Sequence, residues 1–433
     1  MPAALAEPQA SPEQGVPGLA EHLFRHESGK LVSILTGIFG IERLQLAEDV
    51  VQESLVRALQ TWPYYGVPKN PAAWLMQTAR NLALDVIRRE KNFREKEPEV
   101  ITHIEQRFGG ADEESSPMFE DEIKDGRLRL MFACCHPDIP PEAQTALALK
   151  TLCGFSPAEI AKAFLTTEAA VAKRLTRARQ RIQEAGIPFE IPSGAELSTR
   201  LDGVFQIIYL LFSEGYKASS GESLIRADLC YEAIRLGALL TEHPKTTQPR
   251  AHALLALMLL DAARLSSRTD TAGNILRLQE QDRSTWDRKL IGLGIYHLRE
   301  SATGGELTEY HLQAGIASCH CSAADYASTD WRAILAHYDQ WLKMSDSPIV
   351  ALNRAVAVAQ VQGPAAGVRA LANIPGRRQL DDYYLTHAVL GDFDAQLRSF
   401  RTAAAHFRRA LALTEVSSER TFLEKRLREC EAQ

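Results

Sequence analysis

The chain has 433 residues, 45% of them hydrophobic and 24% charged, and a net charge of −6. That length exceeds one ordinary domain and suggests about two to four, in a chain with the profile of a soluble globular protein. The near-balanced charge does not exclude a nucleic-acid partner, because what matters is where the charge sits.

Met1 to Gly18 is rich in Ala, Pro, Glu and Gln. It lacks a basic start and an apolar core, so it reads as a flexible tail (residues 1–18) and not as a signal peptide. No apolar run is long enough to cross a bilayer. The longest, Ala253 to Ala263, is broken by Asp261 and reads as a buried helix, so no membrane partner is expected. Seven scattered cysteines, an odd number, fit a reducing cytoplasm better than a disulfide framework. Almost every segment has helical period, which predicts an all-α fold. A first helical block spans 19–96. Residues 97–126 carry ten acids between Glu97 and Asp125 against Arg107 and Lys124, a balance of −8, with Gly109, Gly110 and Pro117 among them; they read as an acidic linker. A second block spans 127–187. Pro188, Pro192 and Gly194 then open a long helical tail, 188–433.

In the first block, Val51, Leu55 and Leu59 fall at i, i+4 and i+8 and predict a buried stripe. Asp49, Gln52 and Glu53 lie on another face, an acidic-amide surface that suits a basic partner helix; a solvated surface is the plainer alternative. Further on, Leu75, Ala79, Leu82 and Val86 recur at helical spacing, while Gln77, Asn81, Asp85 and Arg88 face the other way. Arg80, Arg88, Arg89, Lys91, Arg94 and Lys96 outweigh Asp85, Glu90 and Glu95 by +3. Trp62-Pro63-Tyr64-Tyr65-Gly66 precedes this helix, and Trp74 follows closely. Rings beside a basic helix suit melted DNA, where bases stack and phosphates pair with Arg and Lys. Trp62 and Trp74 are alternatively core residues, Trp74 especially.

Glu48-Asp49-Val50-Val51-Gln52-Glu53 resembles the core-binding helix of sigma-70 superfamily region two. Ala73-Trp74-Leu75, then Ala79-Arg80-Asn81-Leu82-Ala83 and Asp85-Val86-Ile87-Arg88-Arg89, resemble the promoter-melting helix of the extracytoplasmic-function (ECF) subfamily. The resemblance implies two partners, RNA polymerase core and promoter DNA. Glu48, Asp49, Gln52 and Glu53 would contact the coiled coil of the polymerase clamp. Trp62, Tyr64, Tyr65, Arg80, Asn81, Asp85, Arg88 and Arg89 would hold the melted −10 strand, with a base flipped into a pocket.

The second block reads as a helix-turn-helix. Ser156-Pro157-Ala158-Glu159 is a capping box with Pro at the first helical position. Leu165-Thr166-Thr167 forms a turn, with Thr167 placed to cap the next helix. That helix carries Val171, Leu175, Ala178 and Ile182 inward and Lys173, Arg174, Arg177, Arg179 and Arg181 outward, a balance of +4 from Thr166 to Ile182. A capped short helix, a tight turn and a basic second helix describe a DNA reader; a surface-charged hairpin is the alternative. Val171-Ala172-Lys173-Arg174-Leu175 and Arg177-Ala178-Arg179 resemble sigma region four. That resemblance implies −35 contacts from Thr166, Thr167, Glu168, Ala169, Lys173, Arg174, Arg177 and Arg179. Leu165 stands where the family usually has Gly, so the turn is built differently. The resemblance also implies that the acidic linker mimics nucleic acid in polymerase channels; a flexible spacer is an equal alternative.

In the tail, helices at Cys230–His243 and Trp331–Met344 end before Pro244 and Pro348, an interval of 104 residues, near three repeats of about 34. Gly391-Asp392-Phe393 followed by Ala404, Phe407, Ala410 and Leu411 fits a tetratricopeptide unit; a non-repetitive helical array is the alternative. With Met131-Phe132-Ala133-Cys134-Cys135-His136-Pro137, the tail resembles the ECF group carrying a tetratricopeptide-like extension. That implies a protein partner for the extension or regulation of the sigma domains in cis. Two Cys/His groups, Cys134-Cys135-His136 and His311 with Cys319-His320-Cys321, lack the paired spacing of common zinc sites, so buried thiols are expected and no metal. Phe212 to Glu222 reads as a loop connecting helices or docking a ligand. The tail has no paired carboxylates, nucleophile elbow or phosphate-binding glycine loop, so neither enzyme activity nor a cofactor is expected. The competing reading is a ligand-sensing helix-turn-helix regulator that never touches polymerase, which would have no need of Asp49, Gln52 and Glu53.

Overall fold

A computed structural model describes residues 16–89, 125–164, 166–185, 195–218, 225–271 and 273–433. The tail through residue 15, most of the 97–126 linker, Leu165, and Pro188, Pro192 and Gly194 lie outside the described residues. The all-α expectation holds: among the described residues there are eighteen α-helices and no sheet, with one isolated bridge between Thr269 and Ile275. The chain divides into two compact units, residues 1–211 with 243–246, and residues 212–242 with 247–433.

The first unit contains both expected blocks. Helix α1 (Val16–Phe39) packs on α2 (Leu44–Tyr65) and α3 (Pro71–Arg89). On α2 the buried line runs through Ala47, Val51, Leu55, Ala58 and Trp62. Leu59, expected inward, is 43% exposed. At 3.6 residues per turn, position i+8 has drifted about 80° from Val51, whereas Ala58 at i+7 has drifted only about 20°. On α3 the buried residues are Leu75, Ala79 and Ala83, with Leu82 and Val86 half-buried.

The second block comprises α4 (Gly126–Cys134), α5 (Pro141–Leu152), α6 (Pro157–Ala163) and α7 (Glu168–Ala185). It packs against the first block, with α4 and α5 both lying on α1. Residues 195–211 of α8 (Ala195–Tyr216) complete this unit. Leu197, Leu201, Val204 and Ile208 are buried, and Arg200 donates to the Phe132 carbonyl at 3.2 Å. The unit boundary therefore falls after Leu211 and not at 188: the start of the expected tail is core for the second block.

The second unit holds the end of α8 and ten further helices, α9 (Ala227–Glu242), α10 (Pro249–Ala262), α11 (Arg288–Ser301), α12 (Glu309–Ser322), α13 (Trp331–Trp341), α14 (Pro348–Gln362), α15 (Pro364–Ala372), α16 (Tyr384–Gln396), α17 (Phe400–Leu413) and α18 (Ser417–Glu431). From α9 onward the helices pack mostly on their neighbours in sequence, except that α12 lies chiefly on α10, two positions back. The apolar run at 253–263 is a buried helix as read, most of α10. Phe212 to Tyr216, expected in a loop, continue α8 as helix; Ser219 to Glu222 lie outside the described residues. The Arg268 guanidinium sits over the Tyr216 ring at 3.7 Å and donates to the Tyr216 carbonyl.

The Gly-Asp-Phe signature has a packing reason. A Cβ on Gly391 would lie 2.8 Å from the Phe407 ring. The missing side chain lets Phe407 of α17, fully buried, press against the α16 backbone, and burying such a ring stabilises by about 1.5–3 kcal/mol.

Candidate nucleic-acid interface

The expected polymerase-docking residues separate into two groups on α2. Asp49, Gln52 and Glu53 are exposed. Gln45 donates to Asp49 at 2.8 Å and Arg57 pairs with Glu53 at 3.2 Å, both one turn apart on the same helix. Glu48 is only 6% exposed and faces inward. Its Oε1 accepts from the Thr151 hydroxyl and its Oε2 from Arg179, each at 2.7 Å. This corrects the expectation that Glu48 belongs to the docking face. A buried carboxylate needs partners, and its partners sit in the other block, beyond the reach of local pattern.

Trp62, expected to face DNA, is likewise core at 2% exposure. It meets half-buried Trp74 edge to face at 5.5 Å between ring centroids, a favoured aromatic geometry. Tyr64 and Tyr65 are 84% and 87% exposed. Gly66, at φ 82°, terminates α2 directly after them. On α3, Asn81, Asp85 and Arg88 are exposed, and Gln77 donates to Asn81 at 3.1 Å. Arg80 is half-buried, and the side chain of Arg89 lies outside the described residues.

The helix-turn-helix has the local geometry its sequence predicts. The Ser156 hydroxyl accepts from the Glu159 amide at 3.2 Å, and the Glu159 carboxylate accepts from the Ser156 amide at 2.7 Å. Thr167 accepts from the Ala170 amide at 3.2 Å at the start of α7. Val171, Leu175, Ala178 and Ile182 are buried. Thr167, Glu168, Ala169, Lys173, Arg177 and Arg181 are exposed, and Thr166 is half-buried. Three expected outward cations are engaged within the protein. Arg174 pairs with Glu142 at 2.6 Å and Arg179 with Glu48. Arg181, though exposed, donates to the Asp138 carbonyl at 3.4 Å.

The Cys/His groups serve packing. Cys134 and Cys135 are buried at the end of α4, and burial raises both thiols, Cys135 to about 12. Cys321 donates to the Leu260 carbonyl at 3.4 Å, and His311 bonds Thr308 at the start of its own helix. Among the described residues no three His, Cys, Asp or Glu side chains are grouped to hold a metal ion. None of the described helices is long and apolar enough to cross a membrane.

Two helical blocks of this kind, one ending in a capped helix-turn-helix, define a sigma-type transcription protein, and the comparisons agree. Residues 23–93 match sigma-70 region 2 and residues 129–182 match sigma-70 region 4. The chain belongs to the sigma-70 family, whose domains are those of a transcription factor and not of an enzyme. An uncharacterized protein of Rhizobium meliloti is 38% identical over 388 residues, covering 89% of this chain and 90% of its own length. The ECF RNA polymerase sigma factor SigL of Mycobacterium tuberculosis is 35% identical over 146 residues, 33% of this chain and 77% of that protein. Residues 200–302 match a family of unknown function, DUF6596. No solved structure matches.

Proposed function

We propose that this chain is an ECF-type sigma factor that docks on RNA polymerase core and directs initiation at specific promoters, acting in the cytoplasm. The observation that carries this reading is one compact unit presenting two surfaces. Asp49, Gln52 and Glu53 form an exposed acidic-amide face on α2, and Lys173, Arg177 and Arg181 form an exposed basic face on α7. The first suits a basic helix of polymerase, the second the DNA backbone and base edges of a −35 element. Tyr64, Tyr65, Asn81, Asp85 and Arg88 supply the rings and polar groups a melted −10 strand would meet. Arg80 and Arg89 belong to the same helix. A ligand-sensing regulator would need the basic face but not the acidic one.

The second unit is proposed to be a tetratricopeptide-like extension that binds a protein partner or regulates the sigma domains. Sequential helix packing and the Gly391–Phe407 contact support the first part. Leu293 and Tyr296, exposed one turn apart on α11, support the second. The test is co-elution with purified core. The full chain is expected to co-elute and the Asp49→Lys/Glu53→Lys variant to be lost from the complex while keeping its helicity. Both exposed pairs contribute at most about 1 kcal/mol to folding. Equal co-elution of the two would remove the docking assignment.

A further inference from the structure

In the second unit, segments far apart in sequence converge on one cluster of charged and phenolic side chains. Tyr216 ends α8, Asp261 lies near the end of α10 with Arg264 and Arg268 just beyond it, His320 lies on α12 and Tyr338 on α13. The Arg264 and Arg268 guanidiniums sit 5.5 and 3.7 Å from the centre of the Tyr216 ring. Arg264 reaches Asp261 at 3.5 Å, and the two side chains keep 19% and 23% of their surface exposed, so the cluster is open to small solutes. Its charge does not balance. Two guanidiniums share one carboxylate, and among the described residues no carboxylate pairs with Arg268, whose side chain donates only to the Tyr216 carbonyl. Nearby Arg283 is different, because it is fully engaged by the His320 and Ala323 carbonyls at 2.6 and 3.1 Å and by the Thr329 hydroxyl at 3.0 Å. The His320 ring lies within the resulting positive field: burial lowers it to about 3, and Arg264 and Arg283 push the same way. Its Nδ1 is buried without a hydrogen-bond partner. The helical series also closes on itself beside the cluster. Lys217, next to Tyr216, bonds the Tyr384 hydroxyl at 2.8 Å and Glu419 at 2.9 Å, which joins the start of the unit to α16 and α18.

We propose that this cluster binds a small organic oxyanion, a carboxylate or a phosphate ester, which supplies the missing negative charge. A cation withdrawn from water is costly unless it is paired and hydrogen-bonded. The planar guanidinium fork matches the two oxygens of a carboxylate or phosphate, and stacking on a ring fixes its orientation beforehand. Arg268, held against Tyr216, is therefore the principal anchor, and Arg264 is the second, shared with Asp261. Asp261 opposes the ligand, because its carboxylate already occupies part of the site. The inference concerns the second unit alone and does not depend on the polymerase reading.

The test is calorimetric titration of the full chain with benzoate and with phenyl phosphate, at constant ionic strength in a buffer holding neither. At least one probe should bind saturably at one site per chain with a Kd of about 1 mM or tighter, and the tighter of the two tells a carboxylate ligand from a phosphate ester. Arg268→Gln should weaken that binding about tenfold or more, the loss expected for a hydrogen bond between charged groups. Asp261→Asn keeps the size of the side chain and removes the competing charge, so it should tighten binding about fivefold or more. The two substitutions thus move affinity in opposite directions, which a cluster serving only packing would not show. Because Arg268 also caps the end of α8, far-UV circular dichroism checks each variant, and Asp261→Asn decides the matter if Arg268→Gln does not fold. No saturable binding of either probe by the wild type and by Asp261→Asn would overturn the site. So would a folded Arg268→Gln that binds as the wild type does, or a folded Asp261→Asn that binds no tighter.

Discussion

Trp62 and Trp74 meet edge to face between α2 and α3, with ring centroids 5.5 Å apart, and this contact holds the segment that presents Tyr64 and Tyr65 to solvent. Trp62 anchors the segment, and the two tyrosines are the rings available to bases. Trp62→Ala is expected to cost about 3–5 kcal/mol, as for other buried aromatic truncations. Tyr64→Ala/Tyr65→Ala should leave the urea midpoint unchanged and reduce promoter melting, read by permanganate reactivity of the −10 strand. Undiminished melting would return the tyrosines to plain surface.

Arg177 and Arg174 both sit on α7 but differ in their surroundings. Arg177 is exposed, whereas Arg174 is bonded to Glu142 at 2.6 Å. Arg177→Ala should weaken −35 binding. If it reads a base, the loss is about 1–3 kcal/mol and confined to one position; if it holds a phosphate, the loss is uniform and the salt dependence flattens. Arg174→Ala should have the smaller effect, because its ion pair competes with DNA. Binding titrations on −35 variants at two salt concentrations distinguish these outcomes; no change from either substitution would contradict the assignment of α7 as the reader.

The boundary after Leu211 has a consequence for truncation. A cut at Gly194 removes Leu197, Leu201, Val204 and the Arg200 bond to Phe132 from the first unit. Residues 1–194 should therefore aggregate, and residues 1–211 should remain soluble with cooperative unfolding. A soluble, cooperatively folding 1–194 fragment would show that this half of α8 is dispensable.

The second unit should lose stability in mild acid. Burial, and next the neighbouring His252, lowers His297 to about 4. Burial lowers His320 to about 3, with Arg264 and Arg283 adding to it. Unfolded histidine titrates near ~6.5, so the unfolded chain binds these protons first. The stabilising contribution is complete above that value and is lost as pH falls through the depressed folded values. The urea midpoint of the transition that includes this unit should fall between pH 7 and pH 5, and His297→Phe should reduce that fall. A midpoint independent of pH over this range would contradict the buried, neutral state of these rings.

The parts of the structure that sequence pattern could reach are the local ones. The Ser156–Glu159 capping box and the inward line Val171, Leu175, Ala178 and Ile182 depend on neighbours three or four residues away, and both are present. Leu59 lies off the buried line because a straight i, i+4, i+8 stripe ignores the drift of a helical line. Trp62 and Glu48 needed tertiary information. The acceptor of the Arg179 proton is 131 residues away in sequence, and nothing around Glu48 distinguishes it from Asp49 or Glu53 until α7 is placed. Helix α8 has the same apolar helical pattern as the tail, and only its packing assigns its first half to the earlier unit.

The most direct measurement of the central claim is transcription by purified core polymerase, with and without the full chain, from a library of randomised promoter fragments. The account predicts transcripts that appear only when the chain is added, that start at a shared distance from common −35 and −10 sequences, and that disappear with Asp49→Lys/Glu53→Lys. Transcripts identical to those of core alone, across the whole library, would contradict it.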